Sequence, residues 1–252
     1  MKLSVGNKVK NLSESAIIIP TRTRSHKIDE IIRNLETTKT KSDLYFCCDL
    51  NDKQLLRYLF KIRITYRKQA KLFIFKKIRK RTGVVGPLNF ASRKLIDKYK
   101  YMIFLGDDHQ PITIEWDTKI INSLKHENKY LGYPNDLHRK GELPTSVALN
   151  SKFVKIVNGF GPHNLTHLYV DDFWLQVGLL TNSIMYFPDV IVRHNHPVIG
   201  LQEWDRQYRL LNSEQYYRRG EEEFQAFLKS NLATQIINKT KLSMKENNFK
   251  NS

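Results

Sequence analysis

The sequence predicts an α/β protein, a mostly parallel, Rossmann-like sheet flanked by helices, with a helical C-terminal extension. Three observations carry this. An apolar strand-length run, a segment of helical spacing and a second apolar run open the chain in the order that builds parallel sheets. A later apolar run, Tyr101-Met102-Ile103-Phe104-Leu105, ends in Gly106-Asp107-Asp108-His109, and open α/β sheets carry their functional groups at the carboxyl ends of strands. With 252 residues, 40% of them apolar, the chain can build a sizeable core.

Residues 1–14 read as a tail. Ala16-Ile17-Ile18-Ile19-Pro20 is a buried strand stopped by proline. After the loop at residues 21–25, Ile28, Ile31, Ile32 and Leu35 recur at helical spacing, with Ser25 as N-cap. Leu44-Tyr45-Phe46-Cys47-Cys48 is the second strand, followed by Asp49 and Asp52. Residues 53–81 are basic and aromatic, without a clear period. Residues 83–87 form a turn, and residues 88–99 and 115–124 are helical. Residues 130–132 form a short strand, and residues 159–167 form a Gly/Pro/His/Asn loop. Residues 169–177 open an amphipathic helix with Asp171 and Asp172 in its first turn. Two short strands, 184–187 and 190–192, flank Pro188-Asp189. Residues 15–200 read as one α/β domain, and residues 201–252 as a helical extension with a disordered end.

The net charge is +17, which suggests an anionic partner such as nucleic acid, an anionic membrane or a phosphorylated substrate. The bland alternative is a lysine-rich surface that keeps the protein soluble. No apolar run approaches the roughly 20 residues of a membrane span, and the N-terminus lacks a signal-peptide hydrophobic region; the expectation is a cytoplasmic protein. Cys47 and Cys48 lack zinc-type spacing. Neighbours on a strand point to opposite faces, so both read as small buried hydrophobes.

Two acids and an imidazole after a strand suit a hard divalent cation, and a metal beside a nucleotide bridges phosphate oxygens. A polar turn is the simpler reading of that motif alone. The acids opening the later helix match a general base, or ordinary N-terminal acids favoured by the helix dipole. His194 and His196 share a face if extended, and either could serve a metal or phosphate; His196, beside Pro197, is preferred.

Taken in order, Pro20-Thr21-Arg22-Thr23-Arg24, Asp49, Asp107-Asp108-His109, Asp171-Asp172 and His194/His196 resemble the GT-A class of nucleotide-sugar glycosyltransferases over residues 15–200. The resemblance implies that Thr21, Arg22, Arg24 and Asp49 hold the nucleotide, and that Asn89, in Gly83-Val84-Val85-Gly86-Pro87-Leu88-Asn89, passes the uracil or sugar. It implies that Asp107, Asp108, His109 and His196 serve the diphosphate and a Mn²⁺ or Mg²⁺ ion, and that Asp172, beside Asp171, is the base of an inverting transfer from a UDP-sugar. The family motif is Asp-x-Asp, and this chain departs from it at His109, leaving open which of Asp107, Asp108 and His109 ligates. Residues 141–145 and 160–164 fall where such enzymes bind acceptor.

The chain also resembles phage and parasite DNA-modifying glycosyltransferases, including the base J glucosyltransferase. That implies glucose transfer to a hydroxymethylated base in double-stranded DNA, flipped from the helix. Lys76, Lys77, Arg79, Lys80 and Arg81, with Arg63, Arg67, Lys68 and Lys71 nearby, would meet phosphates. Tyr58, Phe60, Tyr66 and Phe73 read first as core. The alternatives are a cell-surface glycan transferase whose basic face meets anionic lipid, and a non-catalytic nucleic-acid-binding module.

Overall fold

Ile17, Ile18 and Ile19 offer no polar side to water, so a strand built from them must be covered on both faces. The computed structural model, which describes residues 13–76 and 83–251, places them in the middle of an eight-stranded sheet. The strands are β1 (Ser15–Thr21), β2 (Asp43–Asp49), β3 (Ala70–Phe75), β4 (Tyr101–Phe104), β5 (His109–Pro111), β6 (Leu131–Asn135), β7 (Val147–Asn150) and β8 (Ile184–His194). Their order is β3-β2-β1-β4-β7-β6-β8-β5. The first four are parallel; β7 runs antiparallel between β4 and β6, β8 is parallel to β6, and β5 is antiparallel to β8.

The helices are α1 (Ile28–Thr37), α2 (Leu55–Phe60), α3 (Val85–Leu95), α4 (Trp116–His126), α5 (Ser151–Val157), α6 (Val170–Leu180), α7 (Arg206–Leu211), α8 (Glu214–Leu228) and α9 (Asn231–Asn251). Ala16 and Ile18 pack with α3, α5, α6, α8 and α9 in one core; Ile17 and Ile19 pack with α1, α2 and α4 in the other. Cys47 joins the first core and Cys48 the second, both buried as free thiols. No helix among the described residues is long and apolar enough to cross a membrane.

Several boundaries differ from expectation. Ser25 opens a 3₁₀ turn, Ser25–Lys27, instead of capping α1; Lys27 holds the cap position, and the Ser25 N–H donates to Gln54 Oε1 at 2.9 Å. Gly86 and Pro87 lie in the first turn of α3, where the missing proline N–H costs nothing. The basic segment after Asp52 forms α2, a π-turn (Lys61–Thr65) and β3. β7 and α5 went unforeseen. Residues 184–194 form one strand in which Pro188-Asp189 sits in a bulge, the pairing passing from Pro134↔Phe187 to Asn135↔Ile191. α9 stays helical to Asn251, where a disordered end was expected, and Ala233 and Ile236 anchor it in the first core. Residues 1–12 of the expected tail, and Lys77, Arg79, Lys80 and Arg81, lie outside the described residues; Lys76 is exposed just past β3.

Candidate active site

Gly106 follows β4 and begins a tight turn in which the His109 N–H donates to its carbonyl at 3.1 Å. A β-carbon there would sit 2.3 Å from Asp108 Oδ1 and 2.4 Å from His109 Nδ1. Only glycine lets both side chains fold back over the turn. β5 then pairs with β8 so that His109 and His194 are direct partners. Such partners share a face, and their rings stack at 4.2 Å. Asp108 closes the group, with Oδ1 2.9 Å from His109 Nδ1 and Oδ2 3.5 Å from His194 Nε2.

Donor atoms of Asp108, His109 and His194 all lie within 4.8 Å of one another. One carboxylate and two imidazoles are a competent set for a divalent cation such as Mn²⁺. The 2.9 Å bite of Asp108 and His109 matches the about 3 Å between neighbouring ligands of an octahedral ion. Burial works to raise the Asp108 carboxyl, but His194 and His109 hold it well below the usual carboxylate range. Burial works to lower His194, and Asp108 outweighs it, raising that imidazole. His109 is lowered by burial and by His194.

His196, expected in this group, stands beside it. Its Nδ1 accepts from the Val198 N–H at 3.2 Å and its ring stacks on His138 at 5.9 Å. Burial, then the charge of His194, pushes its pKa down to about 4. The chain turns sharply after β8, with the His196 N–H bonded to the His194 carbonyl at 2.8 Å. The extended segment that would have put both histidines on one face therefore stops at His194.

Asp136, just past β6, was missed. It is buried; its Oδ1 accepts from the N–H groups of His138, Arg139 and Lys140 at 2.7–2.9 Å. Its Oδ2 accepts from Thr145 Oγ1 at 2.9 Å and lies 3.9 Å from His194 Nδ1, while Thr145 Oγ1 is 3.4 Å from His109 Nε2. One carboxylate thus backs both imidazoles. An acid directly after a strand is the signal that marked Asp49, hidden here because the expected strand stopped at residue 132.

At the other end of the cleft, Arg24 donates to Asp107 Oδ1 at 2.6 Å, and Thr21 Oγ1 donates to Asp107 Oδ2 at 2.8 Å. Asp107, expected to serve the diphosphate, is therefore occupied in holding this loop. Arg24 also pairs with Asp205 at 2.7 Å, and its guanidinium lies 4.4 Å over the Tyr208 ring. Burial opposes the Arg24 charge; Asp107, Tyr208 and Asp108 outweigh it and raise its pKa. The Tyr208 hydroxyl donates to Asp108 Oδ2, so the helical extension reaches the site. Arg22 pairs with Asp49 Oδ2, while Asp49 Oδ1 is buried without a hydrogen-bond partner. Asn89 is buried under the cleft: its Oδ1 accepts from Phe160 N–H at 2.7 Å, and its amide donates to the Gly161 carbonyl at 2.8 Å. It clamps the 159–161 loop and does not reach the cavity.

Arg22, Arg24, Asp49, Asp107, Asp108, His109 and His194 line one cleft of about 600 Å³, together with Asp171 and Asp172 from the first turn of α6. Burial, reinforced by Asp172, pushes Asp171 up to about 6; burial also raises Asp172. Of the expected acceptor loops, Leu143 and Thr145 reach the cleft, whereas Phe160 is core. His138, Arg139, His167 and Tyr169 line it unforeseen.

No family model matches the chain, and no curated protein matches it. Solved structures do. S. aureus TarS residues 1–349, in complex with UDP-GlcNAc, align with a TM-score of 0.60 at 15% identity, covering 89% of this chain and 70% of that one. The mannosyltransferase PcManGT from Pyrobaculum calidifontis, in complex with GDP-Man and Mn²⁺, gives 0.56 at 11%, covering 93% and 81%. Glucosyl-3-phosphoglycerate synthase from Mycobacterium tuberculosis, in complex with Mn²⁺, UDP and glucosyl-3-phosphoglycerate, gives 0.54 at 11%, covering 83% and 79%. The chain has the GT-A-type fold that the order of its motifs resembled.

Proposed function

We propose that the chain is a metal-dependent glycosyltransferase moving a sugar from a nucleotide diphosphate to a hydroxyl, with inversion. The observation that carries this is the cleft itself: a carboxylate–bis-imidazole cluster on one wall and two acids of raised pKa on another. The similar structures support it through what they hold, UDP-GlcNAc in one and Mn²⁺ with a guanosine or uridine nucleotide in the others.

Asp108, His109 and His194 would hold the cation, which supplies positive charge against the departing diphosphate. Asp49 Oδ1, a buried acceptor without a partner, suits a base N–H, and Arg22 fixes that carboxylate. Asp172 takes the acceptor O–H proton as the acceptor oxygen bonds to the sugar carbon and the bond to the diphosphate oxygen breaks. Burial raises the Asp172 carboxyl and with it its basicity, and the charge of Asp172 adds to the burial that raises Asp171 beside it. UDP as the nucleotide and glucose as the sugar belong to the same proposal. Double-stranded DNA as acceptor draws its support from the charge of +17 alone; the cleft geometry adds nothing to it.

The test is product mass spectrometry with Mn²⁺, UDP- and GDP-sugars, and acceptors including hydroxymethylated DNA, comparing wild type with Asp172→Asn. The variant is expected to lose transfer by about 10²–10⁴-fold while nucleotide binding by calorimetry is retained. Near-wild-type turnover would remove Asp172 from the base role, and absence of sugar transfer and of nucleotide release with every donor would overturn the enzyme.

A further inference from the structure

The segment Lys53 to Lys76 contains eight Lys or Arg residues and no Asp or Glu. Within it, α2 and the π-turn bury Tyr58 and Ile62 against the second core. Half a turn away, Leu56, Phe60 and Ile64 are 80%, 60% and 63% exposed. Spacings of four residues place these three on one stripe, about 12 Å long at 1.5 Å per residue. Isolated exposed apolar side chains need no explanation; an aligned row of three large ones does. Phe60 was expected in the core, and the structure puts it in solvent. Lys53, Arg57, Arg63, Arg67 and Lys68 are exposed around the stripe.

We propose that this face docks on an anionic lipid bilayer, Leu56, Phe60 and Ile64 entering the headgroup–acyl boundary and the basic side chains meeting acidic headgroups. An apolar stripe flanked by Lys and Arg is the composition of an interfacial helix. Charge decides between occupants. A second copy packed two-fold on this face would set like charges against each other. A duplex would answer the positive charge, but a 12 Å apolar row has no counterpart on a phosphate backbone. The docked face would lie next to the cleft, because Tyr58, on the inner side of α2, bonds Thr21 Oγ1 at 3.2 Å and the Arg24 N–H at 2.8 Å. Vesicle binding is read without turnover, so the proposal stands or falls separately from the transferase activity.

The test is co-sedimentation of the full chain with phosphatidylcholine vesicles, with and without about one third phosphatidylglycerol. Two triple variants are compared, Leu56→Ser/Phe60→Ser/Ile64→Ser and Arg57→Gln/Arg63→Gln/Arg67→Gln. Wild type is expected to bind only the anionic vesicles, and each variant to lose at least about tenfold, with circular dichroism and melting temperature unchanged. Serine-variant binding equal to wild type would overturn the proposal. So would wild type that ignores vesicles while shifting duplex DNA through the arginines, or that forms a dimer abolished by the serines.

Discussion

At the β1–β2 end of the cleft, Thr21, Arg24, Asp107 and Asp205 are joined by contacts of 2.6–2.9 Å. At the β5–β8 end, Asp108, His109, His194, Asp171 and Asp172 line the cavity, and donor atoms of the first three lie within 4.8 Å of one another. The same residue types serve opposite ends of a trade. On Asp107 a guanidinium and a hydroxyl take both carboxylate oxygens; on Asp108 the Tyr208 hydroxyl shares the carboxylate with two imidazoles that complete a ligand set for a cation. Substitutions at the first end should therefore act on folding, and substitutions at the second on chemistry.

The largest effect expected is at the second end. Asp108→Ala should abolish tight Mn²⁺ binding, read by electron paramagnetic resonance, and lower turnover by about 10³-fold or more. A variant that keeps Mn²⁺ affinity would break the assignment of the cluster. The counterpart is Asp107→Ala, which takes one of two carboxylates from the buried Arg24 and leaves it Asp205. It should cost about 1–3 kcal/mol in urea unfolding, and an unchanged midpoint would show that this end is not structural. Asp136→Asn lies between the two. It keeps the size of the side chain but weakens the support of both imidazoles, and should cut Mn²⁺ affinity by about 10–100-fold. Equal affinity in that variant would mean that β5–β8 pairing alone aims the rings.

How far the sequence discloses these ends follows from how local each one is. β1, α1 and β2 were legible because continuous apolar runs and a four-residue period need no partner to be read. Asp108, His109, Asp171 and Asp172 were legible because each pair sits beside the element that presents it. β7 and α5 were not, at four and seven residues, too short for a period to emerge. His194 over His196 depends on the register of β5 against β8, 85 residues apart between His109 and His194, and on a turn after the strand that no local spacing shows. Asn89 and Asp107 looked like ligand residues because they stand in the right order along the chain. Their partners, Phe160–Gly161 for Asn89 and Arg24 for Asp107, are met only in the fold. Phe60 shows the reverse error: aromatic composition suggested core, and the face it occupies is set by where Tyr58 and Ile62 must go.

The smallest effect separates two readings of Asp171. As an ordinary acid at a helix N-terminus it would stabilise α6 by about 0.3–1 kcal/mol. As a carboxyl pressed into the cleft its pKa is raised from 3.8 to about 6, so the folded state holds the proton more tightly than the unfolded one. The associated stability is fully present below about pH 4 and is lost as pH rises through about 6. Asparagine, which never ionises, escapes that loss. Two pKa units correspond to about 2.7 kcal/mol; the partly open cleft and the forfeited dipole contribution reduce the net gain to about 1 kcal/mol. Asp171→Asn should therefore raise the melting temperature by about 2–4 °C at pH 8 and leave it nearly unchanged at pH 4. A lower melting temperature at pH 8 would place Asp171 with the structural acids, and leave Asp172 as the sole acid of α6 held for chemistry.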